Sequence, residues 1–179
     1  MIFKETKLKG SYIVEIEQKQ DERGFFARSF CVQEFQQHGI NFRIVQCNIS
    51  FNKNKGTLRG MHYQSSPHEE AKLVSCIKGK IYDVIIDLRK NSATYCQWQA
   101  IELGDENYKM LYVPKGFAHG FQTLENNSVI FYQMSEFYHL ENTRGIRWND
   151  PVFLIKWPFN AWIISAKDRA YPLFKKDIL

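Results

Sequence analysis

The segment Thr57-Leu58-Arg59-Gly60-Met61-His62-Tyr63-Gln64 is followed eight residues later by Lys72-Leu73-Val74. It brings a histidine, an arginine and a lysine close together in the chain. A neutral imidazole is the usual carrier of a proton near pH 7, while guanidinium and ammonium groups are the usual partners of phosphate and of a developing oxyanion. Proton chemistry on a phosphorylated substrate would need that set. The pattern alone has low specificity, because a histidine at a glycine-flanked strand end is more often a hydrogen-bonded structural residue. A second stretch, Val113-Pro114-Lys115-Gly116-Phe117-Ala118-His119-Gly120-Phe121, turns on Pro and Gly and sets another histidine at the start of a strand.

The elements that must position these residues read as strands. Runs at 12–16, 42–51, 72–77, 80–88, 98–103, 110–113, 120–124 and 129–134 are rich in Ile, Val, Phe and Tyr, and Gly, Asn, Asp, Ser or Pro bound them. Lys78-Gly79 reads as a tight hairpin turn with a positive φ at Gly79, and Asn126-Asn127 plays the same part before Val129. A helix is predicted at 32–38, closed by Gly39, with a short second one near the C-terminus. Short strands with regular turn signals predict an all-β barrel or sandwich. With no linker or repeat in 179 residues, the expectation is one antiparallel barrel domain, 1–179, with an N-terminal arm and a C-terminal segment wrapped over it. The apolar runs Trp157-Pro158, Trp162-Ile163-Ile164 and Tyr171-Pro172-Leu173-Phe174 must pack on something, part of it a dimer interface.

Composition excludes several classes. No segment approaches the ~20 apolar residues of a membrane span, and Met1 to Lys7 contain no apolar signal core, so a cytoplasmic protein is expected. Cys31, Cys47, Cys76 and Cys96 lie far apart without a Cys-x-x-Cys pair, which predicts free thiols, mostly in strands. The net charge of +5 suits an anionic partner. The lysines at 53, 55, 78, 80, 175 and 176 form short clusters rather than a stripe with interleaved aromatics, so no nucleic-acid partner is expected.

The two His-Gly motifs together resemble those of the cupin superfamily. A metal-binding cupin offers His-x-His and a downstream Glu, whereas here the second position is Gln64, and Glu69 and Glu70 sit in a turn. Glutamine is a poor ligand for zinc or iron, so no metal and no other cofactor is expected in this barrel. The resemblance narrows further, to the dTDP-4-dehydrorhamnose 3,5-epimerase family of metal-free cupins. It runs through Asp21-Glu22-Arg23-Gly24-Phe25-Phe26, Gln46-Cys47-Asn48, Leu58 to Gln64, Lys72-Leu73-Val74, Tyr82-Asp83-Val84, Asp87-Leu88-Arg89, Pro114 to Phe121, Tyr132, Arg144 to Pro151 and Ser165-Ala166-Lys167-Asp168.

That resemblance implies a cupin-type jelly roll acting on a dTDP-linked or other nucleoside-diphosphate-linked 4-keto-6-deoxy sugar, as a homodimer whose N-terminal arm crosses to the partner. It makes His62 the base, Asp168 its partner, Tyr132 the acid on the opposite face and Lys72 the cation for the enolate, with His119 and Asp83 supporting them. Residue type alone favours the structural reading of all three, Tyr132 in a core, Lys72 as a snorkelling strand end and Asp168 as a cap or ion-pair partner. Arg23 and Arg59 would clamp the pyrophosphate, Gln46 and Asn48 would add hydrogen bonds, and Phe26 and Tyr138 would sandwich the base.

One departure bears on specificity. Arg28 stands where many thymidine-nucleotide members carry Glu, and a guanidinium only donates whereas a carboxylate accepts the thymine N3 hydrogen. Use of another nucleotide such as CDP, epimerisation at one carbon only, and a non-catalytic binding role therefore stand beside the 3,5-epimerase reading. Met61 replaces the more frequent Leu with little change of volume.

Overall fold

The computed structural model describes residues 1–161 and 163–175. Trp162 of the apolar C-terminal run and Lys176 of the basic tail lie outside the described residues. Among those described, the strands are β1 (Ile2–Glu5), β2 (Tyr12–Glu15), β3 (Lys19–Asp21), β4 (Gly24–Phe26), β5 (Gln46–Asn52), β6 (Thr57–Gln64) and β7 (Lys72–Lys78). They continue with β8 (Lys80–Asp87), β9 (Trp98–Gly104), β10 (Lys109–Val113), β11 (Phe117–Thr123), β12 (Ser128–Met134), β13 (Thr143–Gly145) and β14 (Ile163–Ile164). The helices are short, α1 (Val32–Gln37) and α2 (Ala166–Ala170). No helix among them is long and apolar enough to cross a membrane.

One antiparallel sheet runs β1-β2-β10-β7-β12-β5, and the second runs β13-β6-β11-β8-β9, with β14 added parallel to β6. From β5 to β8 the chain changes sheet at every strand, which is the winding of a jelly roll. The expected Lys78-Gly79 hairpin is corrected by this winding. Gly79 has the predicted positive φ of 73°, but the turn carries the chain from β7 in one sheet to β8 in the other. Asn127, at φ 56°, makes the same crossing between β11 and β12. A turn signal reports local φ, and which strands it joins is decided by the faces the flanking residues must bury.

Strand alternation sorts the side chains into three layers. Val74, Cys76, Ile81, Ile85, Leu111, Phe117, Phe121 and Ile130 point between the sheets and form the central core. The alternate residues Leu73, Met110 and Tyr112 face the other way and are covered by Phe35 of α1 and by Phe42. On the far side Met61, Val84, Ile86 and Ala118 are covered by Ile146 and Phe153 of the C-terminal segment. Each side chain fully buried in this way contributes roughly 1.5–3 kcal/mol. Residues 42–45, expected to begin a strand, are not part of one; Phe42 serves the α1 cluster instead. Cys47 and Cys76 lie in strands, but Cys31 caps α1 and Cys96 sits in the β8–β9 loop at φ 61°, so the free thiols are not mostly in strands. Cys96 packs on the outer cluster, where a small apolar side chain suffices.

The short C-terminal strand and the Trp157 and Phe174 rings pack on this chain's own barrel, and Trp157 Nε1 donates to Trp148 O at 2.9 Å. The ribbon of β3 and β4 stands apart from both main sheets.

The two His-Gly motifs meet where β6 and β11 pair. His62 lies opposite His119, and a bulge follows before Phe121 pairs with Arg59. At that bulge the backbones touch: a Cβ on Gly60 would lie 2.5 Å from Gly120 Cα, and the φ of Gly60 is 132°. Left-handed strain and the clash together make Gly60→Ala cost roughly 2–4 kcal/mol. Urea unfolding is expected to show that loss as a lower midpoint with unchanged slope; an unaltered midpoint would contradict the close approach.

Candidate active site

The inward face of the barrel is apolar at one end and polar at the other. Pairing puts Asn48 beside Tyr132, Ser50 beside Ile130, His62 beside His119 and Asp83 beside Phe121, and paired residues share a face. Arg59, His62, Lys72, His119 and Tyr132 therefore line one open cleft of about 430 Å³, and a second hollow of about 280 Å³ shares Asn48, His62 and Lys72 with it.

His62 gains its partner from far along the chain. β14 runs alongside β6 with Ile163 opposite Thr57 and Ile164 opposite Leu58, which sets α2 beside the cleft. Ser165 caps α2, its hydroxyl accepting from Asp168 N at 3.0 Å. Asp168 Oδ1 is 2.7 Å from His62 Nε2, and Gly60 N donates to Oδ2 at 3.3 Å. Burial pushes the Asp168 carboxyl up, but the hydrogen bond and charge of His62, the Gly60 N–H and Ser165 outweigh it and hold the group below its ordinary value. Asp168 is therefore ionised at neutral pH and accepts the Nε2 hydrogen. That leaves the lone pair on Nδ1, ready to take a proton.

Lys72, expected to face the site or snorkel to solvent, is buried and paired. Its Nζ lies 3.0 Å from Glu70 Oε1, with the two side chains only 9% and 5% exposed. Glu70 Oε2 in turn accepts from Gln64 N at 2.9 Å. An ammonium has three donors, so Lys72 retains donors toward the cleft it lines. His119 Nε2 is 2.7 Å from Asp83 Oδ1, and both side chains are buried. Tyr132 meets His119 edge to face at 6.1 Å. Burial, and then the charge of Asp83, push the Tyr132 phenol far up, with Arg59 and Ser50 acting against them. The phenol thus stays protonated. Arg59 is steadied by Nε donating to Asn52 Oδ1 at 2.7 Å.

Gln46, Asn48 and Tyr138 gather at the mouth. Gln46 Nε2 donates to Asn48 Oδ1 at 3.2 Å, and its Oε1 accepts from Tyr138 N at 3.3 Å. Arg23, Phe26 and Arg28 are not brought there by this chain. Arg23 sits at the tip of the β3–β4 ribbon, 84% exposed and paired with Asp21 at 2.6 Å. Phe26 is 75% exposed beside Arg28, whose guanidinium holds Glu34 at 2.7 Å.

Three participants were not foreseen. Glu70 gave no signal beyond its place in a turn. Tyr171, read as tail packing, meets the His62 ring edge to face at 5.7 Å. Ser165 was legible in principle, since Ser-x-x-Asp is the pattern of a helix start. Gln64, at the second metal-ligand position of the cupin motif, commits its amide to the backbone: Oε1 accepts from His139 N at 2.6 Å, and Nε2 donates to His68 O at 2.9 Å and to Phe137 O at 3.1 Å.

A jelly-roll barrel with an imidazole–carboxylate pair, a buried lysine and a protonated tyrosine in one open end defines a cupin-type acid–base site. Comparison with known proteins gives that class its family. The family model of dTDP-4-dehydrorhamnose 3,5-epimerase matches residues 5–176. The dTDP-4-dehydrorhamnose 3,5-epimerase of Methanothermobacter thermautotrophicus is 44% identical over 178 residues, covering 98% of this chain and 95% of that one. The crystal structure of the Bacillus anthracis enzyme with TDP and PPi bound is similar at a TM-score of 0.93 and 39% identity, covering 97% of this chain and 99% of that chain. That of a Legionella pneumophila dTDP-6-deoxy-D-glucose-3,5-epimerase in complex with dTDP-4-keto-L-rhamnose gives 0.89 and 38%, covering 96% and 92%. The chain belongs to the dTDP-4-dehydrorhamnose 3,5-epimerase family.

Proposed function

We propose that this chain, acting as one domain over residues 1–179, epimerises dTDP-4-dehydro-6-deoxy-D-glucose at C3 and C5 to give dTDP-4-dehydro-L-rhamnose. The observation that carries the reading is the His62–Asp168 pair opening onto the same cleft as Lys72 and Tyr132. Both C3 and C5 are α to the C4 carbonyl. His62 Nδ1 takes the proton from one of them, the C–H electron pair becomes the enolate double bond, and negative charge gathers on the C4 oxygen. Lys72 stabilises that oxygen with the donors Glu70 leaves free. Tyr132 returns a proton from the opposite face, which inverts the centre, and solvent then restores the phenol and the neutral imidazole. The same cycle at the other carbon completes the reaction. Atoms and electrons balance without an oxidant, so the chemistry itself calls for no redox cofactor.

Arg59, Gln46, Asn48, His119 and Tyr138 hold the substrate from this chain. Arg23, Phe26 and Arg28 reach the site of a second copy, in a cytoplasmic homodimer. The detached β3–β4 ribbon supports this, as do the exposed Ile49 and Phe51 of the edge strand β5. Both oxygens of Glu34, which lines the hollow beside Phe26, are engaged, Oε1 by Arg28 at 2.7 Å and Oε2 by the N-terminal amine at 2.6 Å, so thymidine as the nucleoside is supported by the relatives solved with TDP and a dTDP sugar rather than by this pair.

Two measurements test this. Proton NMR in deuterated water with the dTDP-4-keto sugar is expected to show deuterium entering both C3 and C5. His62→Ala abolishes the exchange, while Tyr132→Phe retains it but loses inversion by about 10²–10⁴-fold. Exchange at a single carbon would make the enzyme a one-centre epimerase. Binding without exchange, or turnover of a CDP sugar in preference, would overturn the assignment. Mixing His62→Ala chains with Arg23→Ala chains is expected to recover activity, since each mixed dimer holds one intact site; no recovery would place Arg23 in its own chain's site.

A further inference from the structure

Outside the cleft, the turn at 65–70 meets the loop that follows β12. His68 comes from the turn, Glu136 and His139 from the loop, and all three are half-buried. One ligand atom from each lies within 4.8 Å of the others. The His68 and His139 rings stack at 3.5 Å with 18° between planes. His139 Nε2 is 3.9 Å from Glu136 Oε1, while its Nδ1 faces Glu141 Oε1 at 3.5 Å.

We propose that His68, His139 and Glu136 bind a divalent transition-metal ion at the rim of the cleft, apart from the acid–base groups. The donor set carries the inference. Two imidazoles with one carboxylate suit zinc and its transition-metal neighbours and disfavour magnesium and calcium, which take oxygen ligands. Glu141 stands where the outer carboxylate of a metal-bound histidine stands: accepting the Nδ1 hydrogen fixes the tautomer and turns the Nε2 lone pair toward Glu136. Ligand atoms on a tetrahedral zinc lie about 3.4 Å apart, given Zn–N and Zn–O lengths near 2.1 Å, against up to 4.8 Å here, so the two stacked rings must turn apart for their in-plane lone pairs to converge on one ion.

The backbone beneath is already fixed. Gln64 ties together His68 O, Phe137 O and His139 N, Ser65 N donates to Asn142 O at 2.9 Å, and Asn142 Nδ2 donates to Ser66 O at 3.1 Å. Ligands on a pre-ordered frame lose little freedom when they bind. The ion differs from the one expected to be missing from the barrel interior, because none of His62, Lys72 and Tyr132 is a ligand. Its effect would be to clamp Phe137 and Tyr138, which lie between two of the ligands and line the cleft mouth.

The test uses the full-length protein with any affinity tag removed and metal stripped by chelator. Zn²⁺ is titrated by calorimetry and Co²⁺ by its visible absorption. One ion per chain is expected. His68→Ala and His139→Ala each weaken binding by at least about 10-fold, Glu141→Gln does so by about 10-fold, and Mg²⁺ gives no signal. Absence of saturable Zn²⁺ binding would overturn the proposal, as would wild-type affinity and stoichiometry in the His68→Ala/His139→Ala double variant. Neither readout depends on epimerase turnover.

Discussion

The hydrogen bond between His62 Nε2 and Asp168 joins the barrel to its last helix and sets the chemical state of the ring that does the work. Much of the surrounding structure serves it. β14 exists to lay α2 beside β6, Ser165 starts α2 at the right residue, and Gly60 both allows β6 to approach β11 and lends its N–H to the same carboxylate. Remove the carboxylate and the imidazole loses both its tautomer and its orientation, although the barrel core lies elsewhere and would persist.

The rest of the polar end obeys a second constraint, which is that charge inside a barrel must be matched. Lys72 is held by Glu70 and His119 by Asp83. Removing such groups from water costs several kcal/mol each, and their pairing offsets that cost without adding much stability. What the pairing contributes is position. Lys72 arrives at the cleft with one donor fixed and the others directed, and Tyr132, pushed up by burial and by Asp83, remains an acid rather than a phenolate.

Much of this was legible in the chain and some was not, for physical reasons. Residues 72–77, 80–88 and 129–134 were legible as strands because runs rich in Ile, Val, Phe and Tyr between turn residues supply the apolar side chains a buried sheet needs. β6 escaped that reading, since Arg59, Gly60, His62 and Gln64 dilute its apolar pattern with residues the site requires. The glycine turn at 79 was visible as a local φ, whereas its crossing between sheets is a tertiary outcome. His62, Tyr132 and Asp168 were singled out by family resemblance. Residue type alone would have left Tyr132 in the core and Asp168 in an ion pair, because the partner of each is supplied by a segment remote in sequence. Glu70 was missed for the same reason: its role depends on Lys72 being buried, which the opening residue of a strand does not announce.

The proton transfer depends on the state of one ring. Nitrogen-15 NMR of the protein labelled in histidine reads it directly. The prediction is that His62 near neutral pH carries its hydrogen on Nε2, with Nδ1 showing the shift of an unprotonated, pyridine-like nitrogen, and that Asp168→Asn collapses this into a mixture of tautomers. A His62 protonated at Nδ1, or one indifferent to Asp168, would contradict it.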